Sequence, residues 1–117
     1  MPKDDALLLE MLLAAREARD FVAGVNIAGF HADKMCHYAT VQRLTVIGEV
    51  ASKVSGPTRA GHPEIPWRAM IGMRNILVHA YGTVNLDIVW ATATNGMDEL
   101  IAALELLVPP DPDEMPV

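Results

Sequence analysis

Apolar residues return every three to four positions through the long segments of this chain, and that period constrains its fold more than any other feature. Leu8, Leu12, Ala15, Ala18 or Arg19, and Val22 make one stripe; Val41, Leu44, Ile47, Val50 and Ala51 make a second. Composition agrees, because 51% hydrophobic residues with only 5% aromatics, mostly Leu, Ala, Val and Met, suit helix-on-helix packing better than a sheet sandwich. The expected fold class is all-α. A chain of 117 residues supports one domain around a single core. We assign that domain to residues 1–108 and expect the acidic, proline-rich tail, residues 109–117, to be disordered.

Capping residues divide the chain into helices. Asp4 and Asp5 can cap the first, which fades near Gly24; Asn26 can cap a short turn through Phe30, and Asp33 a long helix from about Lys34 to Lys53. Gly48 inside that helix costs about 1 kcal/mol relative to alanine, so a close crossing with another helix accounts for it. Residues 55–66 carry Gly56, Pro57, Gly61, Pro63 and Pro66 and read as a loop. A third long helix is expected from Pro66 to about Ala80, with the proline in its first turn. Asn85 can cap a fourth, to about Thr94. Asn95 and Asp98 resemble a capping arrangement for a further helix ending near Val108, either continuous with the fourth or kinked against it.

The stretch Met70 to Gly82 is where ionisable chemistry interrupts an otherwise apolar run. At about 100° per residue, Ile76, Ala80, Met73, Leu77 and Met70 fall on one arc, expected to be buried. The other arc holds Arg74, Val78, Ile71, Asn75, His79 and Gly72. A face that mixes a cation, an amide and an imidazole with apolar residues is hard to explain in a monomer. A homodimer resolves it, with Ile71 and Val78 at the apolar centre of the interface and Gly72 allowing close approach. Tyr81 follows Arg74 by seven residues, near the seam of the two arcs, and Gly82 can cap the helix end.

Several function classes are excluded by what the residues do not form. The single cysteine, Cys36, makes no internal disulfide framework and fits a reducing compartment. The apolar run from Leu7 to Ala15 is broken by Glu10 and is too short to span a bilayer, so a cytoplasmic protein without membrane contact is expected. His31 and the Cys36-His37 pair lack metal-ligand spacing, and His62 falls in the expected loop, so neither a metal nor a cofactor is anticipated. No phosphate loop, dinucleotide fingerprint or nucleophile elbow is present. The net charge of −6 is unevenly spread: residues 1–33 carry −3, residues 34–74 carry +4 and residues 75–117 carry −7. The middle segment is therefore the candidate phosphate-facing surface.

Arg74, four intervening residues, His79, one residue and Tyr81 resemble the Arg-x4-His-x-Tyr signature of HepT-like toxins, within the superfamily of HEPN (higher eukaryotes and prokaryotes nucleotide-binding) domains. Pro66-Trp67-Arg68, the run from Val84 to Trp90, and the run from Arg43 to Glu49 resemble the same family, so the likeness covers roughly residues 5–108. It implies an up-and-down bundle of four to five helices. It further implies a toxin endoribonuclease that cleaves RNA without a metal, at a composite site of Arg74 and His79 on the homodimer interface, with Asn75 in support and Glu49 orienting Arg74. Its partner would be an MntA-like nucleotidyltransferase antitoxin that places AMP on Tyr81. The alternatives are a non-catalytic binding module that docks that nucleotidyltransferase, and the antitoxin role within the same pair.

Overall fold

The computed structural model describes residues 2–109, apart from the side chains of Pro2 and Tyr81. The described residues are mostly helical, with no strand among them. In chain order the helices are α1 (Pro2–Val22), α2 (Ile27–Ala32), α3 (Lys34–Lys53), α4 (Gly56–Gly61) and α5 (Trp67–His79). A 3-10 turn (Tyr81–Thr83) then leads to α6 (Leu86–Ala91), which runs through a π-helical turn (Thr92–Gly96) into α7 (Met97–Glu105). The long rods are thus α1, α3, α5 and the α6–α7 continuum, an up-and-down helical bundle of the HEPN type.

Local chemistry sets most of these boundaries. Gly24 takes a left-handed φ of 72°, which lets the chain leave α1 without the penalty a Cβ would bring. Asn26 Oδ1 accepts from the Gly29 amide at 2.7 Å, and Asp33 Oδ1 from the Cys36 amide at 3.0 Å. Asn85 Oδ1 accepts from the amides of Asp87 and Ile88 at 2.9 and 3.3 Å. Each of these side chains satisfies donors that a helix start leaves orphaned.

Consecutive rods run antiparallel. Asp4, at the start of α1, meets Ser55 and Thr58 just past the end of α3, while Cys36 at the start of α3 donates its thiol to the Phe21 carbonyl near the end of α1. Arg16 and Arg19 of α1 pair with Glu105 and Asp98 of α7 in reverse order. The core between the rods contains Met11, Ala15, Ala18, Phe30, Ile47, Ala51 and Leu104, all essentially without exposure. Trp90 closes one end by donating its indole N–H to the Val25 carbonyl at 2.9 Å. Helix α5 lies at the edge, packed chiefly against α3.

Five local expectations change. Residues 55–66 are not all loop: Ser55 caps α4, and Pro57 sits in its first turn, where a missing N–H costs nothing. Asp4 does not cap its own helix, because α1 begins at Pro2 and the carboxylate is turned toward Ser55 and Thr58. Gly82 lies in the 3-10 turn and does not take the left-handed conformation; Ala80 is the C-cap of α5. Asn95 caps nothing, since the helix continues through it as a π-turn with no side-chain cap at the start of α7. Ile76, expected on the buried arc, is 59% exposed. The arc that α3 covers is centred on Trp67, Met70 and Leu77, and Ile76 lies beyond its edge. The expected tail, residues 109–117, lies outside the described residues from residue 110 onward.

Candidate active site

Gly48 is the foundation of the site. A Cβ at this position would collide with the Cβ of Arg74 and stand 2.5 Å from the Met70 carbonyl oxygen, so the backbones of α3 and α5 can cross here only because the side chain is absent. This is the close crossing that the sequence called for. The consequence is local: Arg74 is drawn over α3 directly beside Glu49.

Arg74 is held by two acceptors. Its Nη2 donates to Glu49 Oε1 at 2.7 Å and its Nη1 to Asn75 Oδ1 at 3.1 Å. Its Nε is buried without a hydrogen-bond partner among the described residues. A guanidinium has five N–H donors, so each terminal nitrogen keeps one unused hydrogen after these contacts. A planar fork with two free donors and a fixed orientation is suited to two oxygens of one phosphate.

His79 occupies a different side of the helix. It is the last residue of α5, it is exposed, and five residues at 3.6 per turn set it about 140° around the axis from Arg74. Among the described residues no contact joins the two. The mixed arc is therefore spread out rather than gathered: Arg74 lies half-buried against α3, while Asn75, Val78 and His79 are exposed. Ile71 and Gly72 are half-buried, and a Cβ added at Gly72 would meet nothing within 4 Å. Packing within one copy thus gives no reason for a glycine at position 72. The backbone of Tyr81 opens the turn after α5, and its side chain lies outside the described residues.

Other titratable groups serve the scaffold. His37 is buried and its Nδ1 donates to the Phe30 carbonyl at 3.0 Å; His31 Nε2 meets Asp87 Oδ1 at 2.5 Å and ties α2 to α6. Burial pushes the Cys36 thiol above its ordinary range, which disfavours the reactive thiolate. Among the described residues no three His, Cys, Asp or Glu side chains converge as metal ligands. No described helix is long and apolar enough to cross a membrane.

The family model described as Ribonuclease HepT-like matches residues 11–107. The chain belongs to the HepT-like ribonuclease family. Among its relatives, a protein of Thermococcus cleftensis named "Probable ribonuclease HepT" is 33% identical over 88 residues, covering 75% of this chain and 80% of the relative. A candidate RNase of Methanocaldococcus jannaschii is 33% identical over 110 residues, covering 92% of this chain and 91% of its own. Another candidate RNase from that organism is 28% identical over 102 residues, covering 87% of this chain and 94% of its own. No solved structure matches the chain. In this HepT-like chain the matched span takes in Gly48, Glu49, Arg74 and His79 together.

Two features of the site could not be read in advance. The hydrogen bond from Arg74 to its neighbour Asn75 is one, because the wheel alone left Asn75 beside His79 instead. The groove beside the last turn of α5 is built by α3, the 3-10 turn and α6 together, and no single segment carries its signature.

Proposed function

We propose that the chain is a toxin endoribonuclease acting on RNA as a homodimer, with Arg74 and His79 catalytic and Asn75 supporting, and with an MntA-like nucleotidyltransferase as its antitoxin. The observation that carries this reading is the divergence of Arg74 and His79 around α5 in a chain of the HepT-like ribonuclease family. One copy offers a phosphate either a guanidinium backed by Glu49 or an imidazole in solvent. Two copies of α5 meeting about a two-fold axis through Ile71, Gly72 and Val78 would bring the Arg74 of one toward the His79 of the other.

The chemistry follows from the side chains. A neutral His79 imidazole takes the proton of a ribose 2′-hydroxyl as that oxygen bonds to the adjacent phosphorus. An imidazolium returns a proton to the 5′-oxygen as its bond to phosphorus breaks. The products are a 2′,3′-cyclic phosphate and a 5′-hydroxyl. The free donors of Arg74 bind the non-bridging oxygens, where negative charge accumulates in the transition state. Asn75, bound to Arg74 and exposed, steadies the same group. None of these steps calls on a metal ion.

Regulation falls to Tyr81. Transfer of AMP from ATP to its hydroxyl, with pyrophosphate leaving, would add bulk and negative charge at the end of α5 and give Arg74 a phosphate in place of substrate. Tyr81→Phe is expected to keep cleaving RNA yet escape neutralisation by the partner enzyme and ATP. Equal protection of that variant, with no adenylyl mass on the wild-type peptide, would mean that the antitoxin acts by binding alone.

The deciding experiment is incubation of purified protein with total RNA. Cleavage should persist in EDTA and leave cyclic-phosphate or 3′-phosphate ends. His79→Ala and Arg74→Ala should each lower the rate at least about 100-fold, the low end for a lost general acid–base group, with an unchanged circular dichroism spectrum. Full activity in His79→Ala, or a strict need for magnesium, would overturn the mechanism.

A further inference from the structure

Two cavities that this chemistry does not use lie end to end along the seam between α3 and the last turns of α5. The first, about 380 Å3, is walled by Tyr38, Val41, Gln42 and Thr45 of α3 and by Leu77 and Val78 of α5. The second, about 260 Å3, shares Tyr38 and Val41 and continues to His37, Gly82, Val84 and Leu86. Their common walls make one groove. It borders Val78, the residue before His79, and Gly82, three residues after it, and so flanks the turn that carries the proposed general base.

Its chemistry is specific. The floor is apolar, from Val41, Leu77 and Val84. Tyr38 is 49% exposed, and its ring meets the His37 ring edge-on, with centroids 4.7 Å apart at 75°. His37 is itself fixed: a carbonyl can only accept, so Nδ1 carries the proton donated to Phe30, and Nε2 is the acceptor of the neutral ring. Gln42 receives Arg43 Nε on its amide oxygen at 2.7 Å, which orients the amide and leaves its NH2 to donate. An aromatic face over an apolar floor, rimmed by one fixed acceptor and one fixed donor, matches a flat heterocycle with polar edges. Lys34, exposed four residues before Tyr38, adds a cation on the same flank of α3.

We infer that this groove receives an unstacked base of the RNA strand beside the cleaved phosphate, with Tyr38 as its stacking platform and His37 and Gln42 reading its edge. Single-stranded RNA is recognised in this way, by stacking on aromatic side chains and hydrogen bonding to splayed bases. The inference rests on the ribonuclease reading above, and it makes the substrate single-stranded and the enzyme base-selective. A duplex, whose bases stay stacked inside the helix, could not fill the groove.

Two measurements on the full chain test it. In the first, the four nucleosides and, separately, ribose 5-phosphate are titrated while the NMR signals of Tyr38, His37 and Val84 are followed; nucleosides should shift all three, with one base preferred, and ribose 5-phosphate should not. In the second, short single-stranded oligoribonucleotides with one cleavable step carry each base, or an abasic residue, beside it. Tyr38→Ala should raise KM about tenfold on base-bearing oligonucleotides, within the range for one lost stacking contact, while moving kcat little and leaving the abasic KM as it was. Tyr38→Phe, which keeps the ring, should recover most of that loss. Nucleoside shifts that fall elsewhere, or a Tyr38→Ala enzyme with wild-type KM and base preference, would overturn the inference. If the wild type cuts no RNA, the ribonuclease reading fails, and the nucleoside titration still decides what the groove binds.

Discussion

Arg74 and Asp4 are both partnered across the bundle, and the difference between them lies in solvent. The Arg74–Glu49 pair has side chains 29% and 48% exposed, so it contributes only about 0–1 kcal/mol to stability. Its effect is to fix the direction of the guanidinium. Asp4 is 3% exposed and accepts from Ser55 Oγ and Thr58 Oγ1 at 2.6 Å each and from the Ser55 amide at 3.1 Å. Those bonds, led by the Ser55 hydroxyl, favour the charged form and lower its pKa from 3.8 to about 2. The folded state therefore binds this proton less readily than the unfolded chain. The stabilisation is fully present above pH 3.8 and is lost as the pH falls through about 2. Asp4→Asn should accordingly lower the urea midpoint at pH 7, and the gap from wild type should close as acid unfolding is followed from pH 4 toward pH 2. A gap independent of pH would show that the carboxylate's charge is not what matters.

Helix α5 shows how one neighbour decides what a wheel leaves open. The spacing of Met70, Met73 and Leu77 made a helix certain and gave it an apolar side, yet Ile76 and Ala80 have equal claim on that side by periodicity. Contact with α3 selects Trp67, Met70 and Leu77 and leaves Ile76 in solvent. The crossing at Gly48 sets the depth of that contact. Gly48→Ala would gain about 1 kcal/mol of helix propensity, but its methyl must displace the Met70 carbonyl and the Arg74 side chain, and overpacking of this kind costs about 1–3 kcal/mol. The expected outcome is a net loss of up to about 2 kcal/mol in urea unfolding, with cleavage falling further than stability does because Arg74 moves off Glu49. Unaltered stability and activity would mean that the crossing does not position the site.

For the whole molecule, the question is what covers the outer side of α5. Val78 is 44% exposed on the arc that carries Ile71 and Gly72, and the glycine has open space in front of it. Exposed apolar residues around a functional pair point to an interface. If that interface is a second copy, Val78→Glu buries an unpaired charge in it. The dimer dissociation constant should then rise at least about 100-fold, and activity should fall in step with dimer content measured by light scattering. A monomeric wild type that still cleaves RNA would exclude the composite site. The segment rich in Lys and Arg, residues 34–74, supplies both α3 and most of α5.

The sequence by itself determined what depends on near neighbours along the chain. Helical period, caps at Asn26, Asp33 and Asn85, the all-α class and the Arg-x4-His spacing are set within a few residues, and each survives folding unchanged. Even the need for a close crossing at Gly48 was legible, because a glycine inside a helix is costly unless something approaches it. What crossed there was not. The burial of Asp4 against residues more than fifty positions away, the helix inside a proline-rich connection, the exposure of Ile76 and the groove at Tyr38 all follow from which rods lie side by side. Such choices are decided by shape and desolvation summed over the bundle, and no local spacing encodes them. The separation of Arg74 from His79 belongs to both levels: five residues fix the angle between them, and only the packing of α5 on α3 decides that one side chain is held and the other left in solvent.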